Sequence, residues 1–168
     1  MDIMIRPEVD GDAGAIAAVT EAAFLRAPHA SGAEQHIVAA LREAGALTLS
    51  LVAEAGGRIV AHLAVSPVAI ADGSANWHGL GPVSVLPEHQ GQRVGSRLVE
   101  AALAELQALG AAGCVVLGEP AFYRRFRFRP VPGLFLPGVP AEYFMALAFE
   151  AARPAGKVSY HAAFEVAE

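Results

Sequence analysis

The chain has 168 residues, of which 54% are hydrophobic and 17% are charged, and its formal net charge is −5 at pH 7. This composition predicts a folded chain, and the length predicts a single domain over residues 1–168. The negative charge argues against nucleic acid as the main partner, because phosphate binding normally requires a basic face.

No apolar run is long enough to cross a bilayer, and the N-terminus lacks the basic start and apolar core of a signal peptide. We therefore expect a cytoplasmic protein without a membrane partner. The single cysteine, Cys114, lies in an apolar stretch and is predicted to be a buried structural thiol. The six histidines show no HExxH spacing, so no metal site is expected.

The N-terminal part predicts a short strand at residues 3–5, followed by a helix. Asp12 is predicted to cap this helix, in which Ile16, Val19 and Ala23 recur at helical spacing. These positions therefore predict a helix with one apolar face.

A second helix is predicted over residues 31–45. Ser31 and Glu34 have the spacing of a capping box, and Gly45 supplies the stop signal. Both ends of this helix are therefore marked in the sequence.

Three strands are predicted next, at residues 47–54, 58–71 and 77–86. Residues 56–57 are both glycine and indicate a tight turn between the first two strands. Pro82 restricts pairing in the third strand and indicates a bulge or an edge position. Sequential strands of this kind predict an antiparallel meander.

The longest predicted helix covers residues 93–110, and the apolar run at 114–118 predicts a buried strand. Strand, helix and strand in this order imply a parallel crossover. A short helix is predicted at 120–126 and a late strand at 142–149, with residues 129–140 left irregular. The apolar face of the long helix is predicted to contain Val94, Leu98, Ala102, Leu106 and Leu109.

The segment QGQRVGS, residues 90–96, follows a strand and opens the long helix. The first N–H groups of a helix have no partner within it, and together with the helix dipole they favour an anion. The geometry predicts a pyrophosphate site, whereas a tight turn without a ligand is the alternative. Two arginine groups could serve a phosphorylated ligand or lie on solvated faces; they are Arg93 and Arg97, and Arg124, Arg125, Arg127 and Arg129.

Several segments together resemble the GNAT family of N-acetyltransferases. The acetyl-CoA signature of that family reads Q or R, x, x, G, x, G or A, and Gln90 and Gly95 match its first and last positions. PAFYRRFRF is similar to a later family segment with tyrosine before Gly-Phe. AHLAVSPV, residues 61–68, resembles the GHxxxSPV strand of one subgroup of predicted acetyltransferases.

The resemblance implies a GNAT-like mixed sheet and direct transfer of an acetyl group from acetyl-CoA to a primary amine of a small molecule or peptide. Strand residues near Val85 would align the pantetheine, as an added β-strand does. Tyr123 matches the tyrosine that protonates the departing thiolate. The implied cofactor-binding residues are Val83, Ser84, Val85, Gln90, Gly91, Gln92, Arg93, Val94, Gly95 and Ser96.

Two arginines depart from the family pattern. Arg93 stands at the first glycine of the signature, and Arg127 stands at the glycine before Phe128. If Arg93 keeps a helical backbone, its amide can still face the pyrophosphate, and its side chain could then contact phosphate or crowd the loop. These departures put cofactor affinity in doubt and motivate an alternative function, a non-catalytic module of the same fold that binds or senses acyl-CoA.

The general base is open among Glu119, His62 and His78, each of which also has a structural explanation. A water relay, or an amine that binds already neutral, would remove the need for a base. The identity of the acceptor is equally open, and so is the assembly state, with a homodimer among the alternatives.

Overall fold

Eight strands and four α-helices make up the part of the chain that the computed structural model describes, which is residues 2–25, 27, 31–151 and 153–167. The helices are α1 (Ala13–Phe24), α2 (Glu34–Glu43), α3 (Val94–Ala108) and α4 (Pro120–Tyr123). The strands are β1 (Ile3–Pro7), β2 (Leu49–Ala55), β3 (Arg58–Ile70), β4 (Trp77–Val85), β5 (Gly113–Leu117), β6 (Leu134–Phe135), β7 (Phe144–Ala148) and β8 (Gly156–Tyr160).

The main sheet has the strand order β1-β2-β3-β4-β5-β7. From β1 to β4 each strand pairs antiparallel with the next one in sequence. β4 and β5 run parallel and are joined through α3, and β7 returns antiparallel to β5. The predicted fold class, a mixed sheet with an antiparallel N-terminal half and a parallel strand-helix-strand crossover, is confirmed.

The predicted side-chain cap of α1 is wrong. Asp12 occupies the N-cap position, but its backbone is helical and its side chain makes no cap hydrogen bond. Side-chain caps usually form from an extended N-cap residue. The carboxylate instead accepts hydrogen bonds from Arg6 Nη1 and from the backbone N–H of Val9, both at 2.8 Å. Arg6 on β1 therefore binds the Asp12 carboxylate, which the sequence had predicted to cap α1.

The predicted capping box of α2 is displaced. The helix begins at Glu34, and Ser31 lies before its N-cap residue, Ala33. The Glu34 carboxylate accepts hydrogen bonds from the backbone N–H of Ser31 at 2.9 Å and from its hydroxyl at 3.0 Å. The pair therefore closes a small loop ahead of the helix. The Ser31 oxygen accepts from the N–H of Ala33, the N-cap residue, at 3.1 Å and does not cap the first turn of α2.

Alternate residues of β2 pack on opposite faces of the sheet. Leu51 and Ala53 belong to the large apolar cluster that includes the buried face of α3. Val52, between them, packs against Ile16 of α1 and Val38 of α2. This alternation is the two-residue period of a strand that is covered on both sides.

The α3 prediction holds except at its last position. The first four residues of the predicted apolar face are buried, but Leu109 is 60% exposed because α3 ends at Ala108. Gly110 then adopts a left-handed backbone with φ of 81°. This glycine lets the N–H of Ala111 bond to the carbonyl of Leu106 at 3.0 Å, as at many helix ends.

The C-terminal part contains pairing that the sequence did not indicate. Residues 129–140 were predicted to be irregular but include β6, which pairs parallel with β8. β8 in turn pairs antiparallel with β3 at Val68, beyond the end of the β2 pairing. β8 escaped prediction because it is short and its exposed residues are polar. None of the helices in the described ranges is long and apolar enough to cross a bilayer.

β4 serves two different neighbours along its length. Its first half pairs with β5, from Trp77 to Leu80, and that pairing stops there. The register with β3 shifts at the same place, which confirms the bulge predicted at Pro82. From Gly81 to Val85 no described strand occupies the side of β4 away from β3. The sheet therefore opens between β4 and β5.

Candidate active site

A cleft of about 520 Å³ lies where β4 and β5 separate. Its wall is formed by the free part of β4, the loop before α3, the first turn of α3, and α4 with the 3₁₀ turn that follows it. The residues that line it are Val83, Val85, His89, Gln90, Gly91, Arg93, Val94, Gly95, Ser96, Phe122, Tyr123 and Arg125.

Most of the predicted site residues therefore meet in one place. Among the predicted set, only Ser84 and Gln92 are absent from the wall. The side-chain Nε2 of Gln92 donates to the backbone carbonyl of Glu88 at 3.3 Å. This side chain therefore makes a hydrogen bond within its own loop. The loop and the tyrosine, far apart in sequence, are brought together because the parallel crossover places α3 beside α4.

The backbone of residues 91–96 presents consecutive unpaired N–H groups. Within the described residues, none of these six amides donates to a backbone carbonyl or to a capping side chain. The next amide, that of Arg97, bonds to the carbonyl of Arg93 at 3.1 Å and begins the regular α3 pattern. Unpaired amides at a helix N-terminus form an anion site, because their partial positive charges converge there.

The side chain of Gln90 anchors this loop to the sheet. Its Nε2 donates a hydrogen bond to the carbonyl oxygen of Val85 at 3.1 Å. The contact fixes the distance between the free part of β4 and the start of α3. Gln90 thus lines the cleft and also holds the loop against β4 through its side chain.

The backbone of Arg93 is not helical, so the condition considered for its amide is not met. Arg93 is the N-cap residue of α3 and has φ of 65° and ψ of 15°, in the left-handed region. Arg127, the second departure from the family pattern, has φ of 75°. Left-handed backbone is the conformation that glycine adopts without cost, so glycine would fit both positions without strain. Both arginines therefore hold a strained backbone.

The free part of β4 directs alternate backbone groups into the cleft. The N–H of Leu86 points to β3, where it bonds to the carbonyl of Val60 at 2.9 Å. Because successive residues of a strand point their backbone groups to opposite sides, those of Val83 and Val85 face away from β3. A bound chain with its own amides could pair with the groups of Val83 and with the N–H of Val85, whose carbonyl already accepts from Gln90. Ser84 faces β3 instead, and its side chain is buried across from His62.

Tyr123 ends α4 and places its ring in the cleft wall. The ring packs edge-on against Phe122, with centroids 4.8 Å apart, and against Phe128 at 5.9 Å. Burial raises the pKa of Tyr123 to about 12, and the neighbouring Cys114 contributes in the same direction. The phenol therefore stays protonated at neutral pH and is able to donate a proton or a hydrogen bond.

Three lining residues were not singled out as site residues from the sequence: Phe122, His89 and Arg125. His89 ends a 3₁₀ turn, and its buried Nδ1 has no partner among the described groups. The arginine cluster was noticed in the sequence, but nothing in the pattern separated Arg125 from its neighbours. Their three-dimensional surroundings make that distinction.

A partly buried polar chain, which ends at the fully buried His62, crosses the opposite face of the sheet. Arg42 donates two hydrogen bonds to the Glu8 carboxylate, both at 2.9 Å, and this ion pair holds the pKa of Glu8 below its usual value. The hydroxyl of Ser50 donates to Glu8 and also contacts Nε2 of His62 at 2.8 Å. Since Ser50 has one proton and gives it to the carboxylate, Nε2 of His62 must be the donor in the second contact.

The general-base candidates do not line the cleft. His62 is fully buried, and burial lowers its pKa to about 4. His78 contacts Thr48 at 3.2 Å and Asn76 at 3.1 Å through its two ring nitrogens, and burial lowers its pKa as well. Glu119 is exposed at the N-cap of α4, where its backbone carbonyl accepts from the helix.

The described residues contain no group of three or more His, Cys, Asp or Glu side chains that could hold a metal ion. Cys114 lies fully buried in β5, and burial raises its pKa well above the ordinary value. A thiol in this state is not a nucleophile, because the reactive form is the thiolate. The chemistry available in the cleft is thus that of backbone amides, a phenol, the imidazole of His89 and arginine.

Residues 46–130 match the acetyltransferase (GNAT) domain. YhbS of Escherichia coli K12, an uncharacterized N-acetyltransferase, is 39% identical over 127 residues, which are 75% of this chain and 73% of that protein. YjhQ of the same organism, also an uncharacterized N-acetyltransferase, is 34% identical over 66% of this chain and 62% of its own.

Two solved structures are similar over nearly the whole chain. A GNAT family acetyltransferase from Brucella melitensis, in complex with acetyl-CoA, is 47% identical, with a TM-score of 0.87 over 97% of this chain and 98% of that one. YhbS from Escherichia coli, in complex with CoA, is 33% identical, with a TM-score of 0.88 over 97% and 92%. The domain match, the identities and the common fold agree, and the chain belongs to the GNAT family of acetyltransferases.

Proposed function

We propose that this chain transfers an acetyl group from acetyl-CoA to a primary amine of a small molecule or peptide. The observation that carries the proposal is the cleft itself, in which the free backbone of β4, the unpaired amides of 91–96 and the phenol of Tyr123 converge. Each of the three matches one part of the thioester: pantetheine, pyrophosphate and leaving sulfur. The two similar structures were solved with acetyl-CoA and with CoA.

In the proposed complex the pantetheine lies along β4 as an added strand. Its amides pair with the backbone groups of Val83 and Val85, which face the gap. The pyrophosphate rests on the amides before α3, with no side-chain charge required. The thioester is then fixed at both ends and lies beside Tyr123.

The reaction is a single acyl transfer. The neutral amine attacks the thioester carbonyl carbon, a C–N bond forms, and the carbonyl oxygen takes the negative charge of the tetrahedral adduct. When the adduct collapses, the C–S bond breaks, and the phenol of Tyr123 gives its proton to the departing thiolate. The extra proton on nitrogen leaves to water, and the phenolate recovers a proton from solvent. The products are the amide and CoA.

The arginines at the two glycine positions had motivated a non-catalytic alternative. Arg93 and Arg127 adopt a left-handed backbone, which is also open to glycine, so an arginine at these positions does not force a conformation that glycine would avoid. The structural reason for that alternative is thereby weakened.

Calorimetric titration tests the proposal, with acetyl-CoA as ligand and free CoA and ATP as comparisons. We expect acetyl-CoA and CoA to bind and ATP not to bind. An acetylation assay against a panel of small amines and peptides, read by release of CoA thiol, follows. Binding without turnover on any amine would favour a sensing module, and absence of binding would overturn the proposal.

The Arg93→Gly variant is the control for the loop in both experiments. Glycine adopts the same backbone without strain, so the variant should bind acetyl-CoA at least as tightly as the native chain. Binding seen only in the variant would mean that Arg93 blocks the native site.

A further inference from the structure

Arg125 lies across the mouth of the cleft and joins its two sides. It belongs to the 3₁₀ turn after α4, and its Nη2 donates a hydrogen bond to Oγ of Ser96 at 3.2 Å. Ser96 is in the first turn of α3, so the contact spans 29 residues of sequence. The guanidinium is therefore held beside the amides at the start of α3.

The guanidinium is oriented by its own turn. Its carbon Cζ lies 4.7 Å from the ring centroid of Phe122 and 5.7 Å from that of Phe126. Its Nε donates to the carbonyl of Phe122 at 3.3 Å. Stacking of this kind favours one orientation of the planar group and lowers the cost of fixing it for a ligand.

The charge of Arg125 is not neutralised by any residue that the structure describes. Among the described residues, no carboxylate lies within ion-pair distance of it, whereas Arg6 and Arg42 are both paired. A guanidinium has five N–H groups, and the contacts to Ser96 and Phe122 use two of them. The remaining N–H groups have no acceptor in the described part of the chain. A positive group with free donors beside an array of unpaired amides is arranged for an anion.

We propose that Arg125 is a phosphate-binding residue that closes the anion site from the α4 side, opposite the amides of 91–96. The inference rests on the proposed function, because the phosphate is taken to be that of the acyl-CoA. It adds a charged, bidentate contact to a site that otherwise consists of backbone groups. The same contact could reach the pyrophosphate or the 3′-phosphate, and the choice between them is made by experiment.

The competing explanation is structural, since Arg125 could serve only to tie α4 to α3. Arg125→Gln distinguishes phosphate binding from a purely structural role. Glutamine keeps a polar group at the end of the side chain at this exposed position and removes the charge. Arg124→Gln is the matched control: Arg124 is the preceding residue in the same turn, is also exposed, and does not line the cleft. Urea unfolding of both variants checks that each is folded.

The experiment measures kcat/KM for acetyl-CoA, for 3′-dephospho-acetyl-CoA and for S-acetyl-pantetheine. The last compound lacks both the pyrophosphate and the 3′-phosphate. For acetyl-CoA we expect Arg125→Gln to lose about tenfold to a hundredfold, the usual weight of a hydrogen bond to a charged group. The loss with S-acetyl-pantetheine should be much smaller, and Arg124→Gln should behave as the native chain.

A loss that persists with the dephospho compound assigns Arg125 to the pyrophosphate, and a loss that disappears assigns it to the 3′-phosphate. Equal losses with acetyl-CoA and S-acetyl-pantetheine, or no loss with either, would overturn the inference and leave the proposed function intact. Failure of the native chain to bind acetyl-CoA would overturn both, and the titration described above reveals that case independently.

Discussion

The ring of Tyr123 lies so close to the backbone of Gly118 that a methyl group on Gly118 would come within 2.4 Å of the ring atom Cε2. Gly118 follows β5 directly, and its N–H donates to the carbonyl of Tyr143 at 3.0 Å. The residue is therefore held by the sheet side of the cleft. The ring has no room to stay in place if a side chain is added there.

The first prediction concerns Gly118→Ala. The backbone of Gly118 does not require glycine for its φ, so the methyl group acts through its clash with Tyr123. We expect the ring to move and kcat to fall by about tenfold or more, since small displacements of a reacting group are costly. Affinity for CoA should change little. Steady-state kinetics and calorimetry measure the two effects.

A control for this variant is Gly14→Ala in α1, where an added methyl group meets no atom within 4 Å. This change should leave kcat as it is and raise the free energy of unfolding by about 0.5–1 kcal/mol, because alanine favours the helix. If Gly118→Ala turns over as fast as Gly14→Ala, the position of the phenol does not matter to the reaction.

The second prediction is that Tyr123→Phe lowers kcat by about a hundredfold or more, the usual contribution of a positioned proton donor. The variant keeps the ring and its contacts with Phe122 and Phe128, so binding of CoA should persist. Single-turnover measurements with saturating acetyl-CoA isolate the chemical step. Unchanged turnover would remove Tyr123 from the mechanism.

The third prediction concerns acid stability. The pKa of His62 is lowered to about 4 in the folded chain, against 6.5 when it is exposed. Between these values the unfolded state binds the proton and the folded state does not, so the free energy of unfolding falls as the pH falls. The full difference is on the order of 3 kcal/mol. Urea unfolding at pH 7 and at about pH 5 measures part of it.

His62→Gln should reduce this acid-induced loss, because glutamine cannot take up a proton in either state. The variant will be less stable than the native chain at neutral pH, since the contact with Ser50 changes. The informative quantity is the slope of stability against pH. Equal slopes for the two proteins would mean that His62 titrates normally.

The fourth prediction is that Arg127→Gly raises the free energy of unfolding by about 1 kcal/mol. Arg127 is exposed and has φ of 75°, a backbone that costs a residue with a side chain roughly 1–2 kcal/mol. Arg124→Gly is the matched change at a right-handed position, φ −57°, and should lower stability. Thermal unfolding measures both variants, and a shift of the melting temperature in the same direction for the two would contradict this account.

Much of the fold was predictable because its signals are local. The glycines at 56–57 lie just after the end of β2, and Gly110 lies just after the end of α3, as the sequence indicated. All three have a left-handed backbone, which glycine adopts without cost. The cap of α1 was wrong because of a partner outside the helix. The carboxylate of Asp12 was available to the N-terminus of its helix, but a salt bridge from Arg6 on β1 takes it.

The site was predictable to the extent that it depends on motifs. The loop at 90–96 and Tyr123 were both named from the sequence, and they line the same cleft. Arg125 was missed as a site residue because arginines in a cluster look alike until packing is known. The contact between Ser96 and Arg125 depends on the crossover and cannot be read from spacing.

The interrupted pairing of β4 has a practical consequence. Between Gly81 and Val85 no described strand pairs with β4 on the side away from β3, and a ligand that lies there adds the missing neighbour. Such a ligand binds the folded chain and not the unfolded one, so it must raise the temperature of unfolding. The rise in melting temperature thus reports ligand binding without any knowledge of the acceptor. A library of thioesters can therefore be ranked by the melting temperature that each one produces.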